Sequence, residues 1–89
     1  MSKVHVSQRD TGPAYYLYCP GCKNYHAFDS RWQFNGDLDK PTFSPSLLCN
    51  PEYVERRCHS FVRDGKIEFL GDCYHELAGQ TVEMQEANL

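Results

Sequence analysis

The sequence lacks most of the features that announce a function directly. No apolar stretch opens the chain, since "MSKVHVSQRD" is polar throughout, so no secretory leader is expected. No run approaches the ~20 apolar residues that a membrane-spanning helix needs. Positive charge is also scarce: nine Lys and Arg face twelve Asp and Glu, for a net charge of -3. Only Arg56 and Arg57 stand side by side, whereas a general nucleic-acid binder is usually basic. Several catalytic motifs are missing as well. There is no phosphate-cradling glycine loop, no deaminase pairing of H-x-E with P-C-x-x-C, and no nucleophile elbow around any serine. "HELAG" lacks the second histidine of H-E-x-x-H. These absences lead to the expectation of a protein that is not an enzyme, with no catalytic residues.

What is present is material for a staple. Eighty-nine residues, 24% of them charged, make one domain (1–89) that buries only roughly 60–65% of its unfolded surface. Chains of this size usually need disulfides, a metal or a partner. Five cysteines and four histidines are available. The odd cysteine count weakens a disulfide framework. In the reducing, cytoplasmic setting expected here, clustered Cys and His are more often metal ligands.

The clearest local structure lies in "RCHSFVRDGKIEFLGDC". Two β-rich runs flank Asp64-Gly65, the signal for a tight hairpin. That turn pairs Arg63 with Lys66, Val62 with Ile67, Ser60 with Phe69 and Cys58 with Gly71. Alternation then puts Cys58, Val62, Ile67 and Phe69 on one face, with Cys73 if the strand continues. His59 and Phe61 point the other way. "AYYLYC" predicts a strand entering the Cys19–Cys22 turn, and "YHAF" with "RWQFNG" a weaker pair around Asp29-Ser30. Pro41 and Pro45 exclude a helix from "DKPTFSPSLLC", and "SLLC" reads as a short strand. "HELAGQ" suits one helical turn ended by Gly79, and "TVEM" a short strand. Residues 1–12 and 85–89 are expected to fray. The fold class is mainly β (small α+β at most), zinc-ribbon-like and metal-stabilised.

Cys19-Pro20-Gly21-Cys22 has the spacing that lets two thiolates grip one ion. Alone it is a half-site, because structural zinc takes four ligands. The hairpin base supplies candidates for the rest, and Cys19, Cys22, Cys58 and His75 form the first choice. His59, Cys73 and His26 are alternates, and Cys49 reads as a small core residue. Asp72 stands where it can orient a ligand histidine. A redox role for "CPGC" is disfavoured, since no helix follows it.

Together these segments resemble a known family. "CPGC…H", "KPTFSPS" and "CHSFVRDGKIEFLGDC-x-HELAGQTV" look like small phage and prophage proteins commonly labelled ammonia monooxygenase. The residues do not support that label, because nothing here offers an oxygenase's copper or iron site. The resemblance implies a metal-binding protein whose relatives accompany ubiquitin-like conjugation genes. It suits a zinc-stabilised interaction module that modulates a host or defence protein. Trp32, Phe34 and Phe43 are the candidate partner-binding residues, since twelve aromatics exceed what so small a core needs. The alternatives are a nucleic-acid-binding zinc protein, using Arg31, Arg56, Arg57 and Arg63, and a metal-dependent hydrolase.

Overall fold

The structure, a computed structural model, describes residues 2–87. Among the described residues, eight strands form two antiparallel sheets. The first has the order β1-β2-β3, from β1 (His5–Arg9), β2 (Gly12–Cys19) and β3 (Asn24–Phe28). The second runs β4 (Gln33–Phe34), β5 (Phe43–Cys49), β6 (Cys58–Arg63), β7 (Lys66–Phe69) and β8 (Thr81–Glu83), in that spatial order. The helix content described is one 3-10 turn at Val54–Arg56, in the β5–β6 connection. "HELAGQ" forms only turns, closed by Ala78 and Gln80 amides on the His75 and Leu77 carbonyls. No helix among the described residues is long and apolar enough to cross a membrane.

The predicted hairpin forms in the expected register, Arg63↔Lys66, Val62↔Ile67 and Ser60↔Phe69. Asp64 and Gly65 both take positive φ, 50° and 76°, the paired left-handed geometry that lets a two-residue turn follow the sheet twist. Ladder pairing ends at Ser60↔Phe69, so Cys73 reaches β6 from a turn and not from a continued strand.

Within the N-terminal stretch expected to fray, Val4 is buried and β1 pairs with β2 from His5↔Tyr16 to Arg9↔Gly12, while positions 1, 88 and 89 of the two stretches lie outside the described residues. One strand face with a valine in the core is enough to anchor that end. Two expectations need correction. "YHAF" and "RWQF" do not pair with each other but enter different sheets as β3 and β4. Phe43 is no surface contact, being 2% exposed. It stacks between Phe28 (4.2 Å) and Phe34 (4.6 Å) and joins the two sheets. A proline-bracketed strand still alternates its side chains, and Phe43 takes the inward position. Trp32 and Phe34 are half-buried against the same stack.

The core draws on both sheets, with Leu17, Cys19 and Phe28 from the first and Leu47, Val62, Ile67 and Phe69 from the second. β6 therefore has an inner face that meets the first sheet and an outer face open to solvent. That division organises everything below.

Candidate metal centre and serine site

On the inner face, the ligand atoms of Cys19, Cys22, Cys58 and His75 all lie within 4.8 Å of one another. Cys19 ends β2, and the turn after it is held by the Lys23 amide on the Cys19 carbonyl (2.8 Å) and the Cys22 amide on Cys19 Sγ (3.3 Å). Lys23 takes a positive φ of 57° to close that knuckle. Gly21 is required by close approach, because a Cβ there would run into the His75 ring. Cys58 Sγ is 4.0 Å from Cys19 Sγ and 3.4 Å from His75 Nε2.

The chemistry of the cluster suits a cation. Contact with the Cys58 sulfur draws the Cys19 thiol well below its ordinary range, against burial, which raises it. The same contact, reinforced by burial, drives Cys58 up. The two buried sulfurs thus compete at close range for the ionised form, a competition that a divalent cation between them would relieve. Tyr74 beside the Cys22 thiol is pushed up to about 12 by it. Three thiolates and an imidazole are a tetrahedral structural set.

The alternates are placed elsewhere. His26, on β3, puts Nδ1 3.5 Å from Cys49 Sγ, and its Nε2 is buried without a hydrogen bond. Burial opposes its protonation, but the thiols of Cys19 and Cys49 outweigh that and lift it to about 11. Cys73 Sγ accepts from the His59 amide (3.2 Å) and donates to the His59 carbonyl (3.1 Å). Burial pushes this thiol up, so it stays protonated and able to donate.

His59 points to the outer face, as alternation predicts, and there it meets two residues not read together from the sequence. Its Nε2 is 3.1 Å from Ser46 Oγ, and its Nδ1 is 3.4 Å from Asp72 Oδ2. With Nδ1–H donated to the Asp72 carboxylate, Nε2 accepts from the Ser46 hydroxyl. This is the nucleophile–base–carboxylate order of a serine hydrolase.

Local structure explains the meeting. β5 pairs with β6 at Leu47↔Ser60 and again at Phe43↔Val62, so three residues (44–46) face the single residue Phe61. Such a bulge re-aims side chains. The Trp32 indole N–H donates to the Ser46 carbonyl at 3.3 Å and pins the bulge. After β7, the Leu70 amide donates to the His59 carbonyl (2.9 Å) and the Cys73 amide to the Leu70 carbonyl (3.2 Å). That turn carries Asp72 to the imidazole. The usable sequence signal was a histidine on the face opposite its neighbouring cysteine ligand, followed by an aspartate at the end of the same hairpin.

The site is shallow, with the side chains of His59 and Asp72 24% and 40% exposed. Leu48, directly across from His59, is an exposed apolar residue on the same face.

Searches of curated proteins and of solved structures return no match. A family model does match, over residues 1–70, and its description is a bacterial ubiquitination-like system serine protease (BubE). That description overturns the expectation of a non-enzymatic protein. The absence of an elbow motif carries little weight against an enzyme, since Ser46 sits on a β-bulge that no elbow pattern describes. With 70 of its 89 residues matched, the chain belongs to the family of the bacterial ubiquitination-like system serine protease, BubE.

Proposed function

We propose that the protein is a serine peptidase in which Ser46 is the nucleophile, His59 the general base and acid, and Asp72 the residue that orients His59. The observation that carries this reading is the continuous Ser46–His59–Asp72 hydrogen-bonded array on the outer face of β6. The family description agrees with it. Ser46 Oγ attacks the scissile carbonyl carbon as its proton passes to His59 Nε2, and Asp72 stabilises the imidazolium. The leaving amine then takes that proton, and the acyl group remains as an ester on Ser46. Water hydrolyses the ester with His59 again as base.

The substrate is a protein segment. A shallow array flanked by Leu48 and Phe61 suits an extended peptide laid across the sheet, not an engulfed small molecule. In a ubiquitination-like system, the fitting bond is an amide at the C-terminal tail of a ubiquitin-like protein. Cys19, Cys22, Cys58 and His75 would hold a structural zinc ion. Four protein donors leave no open position for catalysis by the metal, so its contribution is folding energy.

The test combines a fluorophosphonate probe with a ubiquitin-like domain bearing a C-terminal peptide extension. Wild type should gain one probe mass at Ser46 and release the extension, and Ser46→Ala should do neither. Cleavage that persists in Ser46→Ala would end this reading.

A further inference from the structure

Two cysteines stand outside both sites: Cys49, whose sulfur meets His26, and Cys73. Cys73 lies beside the metal cluster and is buried, 9% exposed, yet it is outside the group of four close ligand atoms. As a small apolar filler it would have no directed contacts. Instead its sulfur engages both polar groups of one peptide unit pair, accepting from His59 N–H and donating to His59 C=O.

The position of that clasp matters. Ladder pairing between β6 and β7 stops at Ser60↔Phe69, one residue before His59. From there on, the His59 backbone has no strand partner on that side. The Leu70 amide and the Cys73 thiol take over the role. Asp72, the neighbour of Cys73, reaches the imidazole ring of the same histidine. Residues 72 and 73 therefore hold one side chain and its own backbone at once.

The geometry points to Cys73 as a positioning residue of the serine site: its thiol fixes the His59 backbone so that the imidazole bridges Ser46 and Asp72. This rests on the serine-peptidase reading and adds a residue to it. Cys73 touches no reacting atom and holds no metal. A serine in its place retains one O–H donor and lone pairs to accept. Alanine or valine keeps an apolar filler and loses both bonds.

The experiment measures labelling of Ser46 by a fluorophosphonate probe in wild type, Cys73→Ser, Cys73→Ala, Cys73→Val and Ser46→Ala, with zinc content measured on every sample. Misplacing a reacting group by about 1 Å can cost on the order of 100-fold. The maximal labelling rate, kinact, should fall about 10- to 100-fold in Cys73→Val and Cys73→Ala. KI and the zinc-to-protein ratio should stay unchanged, and Cys73→Ser should remain within about fivefold of wild type. Full kinact in valine or alanine, loss in serine equal to that in valine, or zinc loss in step with activity would overturn the proposal. Should alanine fail to fold, the serine-against-valine contrast decides. Labelling that survives Ser46→Ala sinks the serine-peptidase reading itself, whereas a dead Ser46→Ala beside a fully active Cys73→Val sinks only the role of Cys73.

Discussion

Cys58 and His59 are adjacent on β6, and their surroundings could hardly differ more. Cys58 is 1% exposed and faces two sulfurs and an imidazole in the core. His59 faces solvent, a serine hydroxyl and a carboxylate. Strand alternation alone separates them. The inner site is built of core residues, three sulfurs and an imidazole whose ligand atoms lie within 4.8 Å of one another, a possible metal site. The outer site is built of surface groups whose removal leaves the core intact. One strand thus carries a structural demand on one face and a chemical one on the other.

The strongest way to break this contrast is to strip the metal. A high-affinity chelator should unfold the protein and abolish Ser46 labelling together, since structural zinc contributes folding energy on the order of 10 kcal/mol. Near-UV circular dichroism checks it, and a metal-free protein with an unchanged spectrum would contradict the structural assignment. Ser46→Ala should do the opposite. It should lower cleavage by about 1,000-fold or more while the thermal midpoint and zinc content stay at wild-type values. Asp72→Asn should cost about 100- to 10,000-fold in kcat with folding unaffected, because the imidazole loses the carboxylate that sets its tautomer. Gly21→Ala belongs to the inner face. Its Cβ collides with His75, so zinc affinity measured by competition with a chromophoric chelator should fall at least tenfold.

The smallest effect concerns the outer face and pH. Arg31 pairs with Asp29 at 3.0 Å and lies over the Trp32 ring, which in turn holds the Ser46 carbonyl. The guanidinium of Arg31 holds the Asp29 carboxyl below its usual value. A depressed folded-state pKa gives a contribution that is present above the unfolded value and lost as pH falls through the folded one. Asp29→Asn should therefore leave neutral-pH stability nearly unchanged and flatten the acid limb of a melting series below about pH 4. An acid limb identical to wild type would remove the ion pair from the account.

The two faces were also unequally legible in the sequence. C-x-x-C spacing and the Asp64-Gly65 turn are local signals, and together they place Cys58 on the core side. His75 was chosen from the same hairpin, and the structure puts all four ligand atoms together. The serine site has no such grammar. Ser46 is aimed by a bulge whose register depends on the partner strand, and nothing in "FSPSLLC" specifies it. His59 was read as a rival ligand because it adjoins a cysteine, although alternation already sent it to the other side. Asp72 is expected to orient a metal-ligand histidine, whereas the structure sets it against His59, outside the cluster of ligand atoms. The proline brackets around Phe43 suggest an exposed residue, whereas the aromatic stack that buries it is tertiary.

The adjacency of Cys58 and His59 has a practical consequence for assigning enzyme class by inhibitor. A chelator would inactivate the protein by removing the clamp, and a thiol-alkylating reagent would do so by modifying its cysteines. Either result, taken alone, would file a serine enzyme among the metallopeptidases or the cysteine peptidases. Only a reagent that ends up covalently attached to Ser46 reports the chemistry rather than the scaffold.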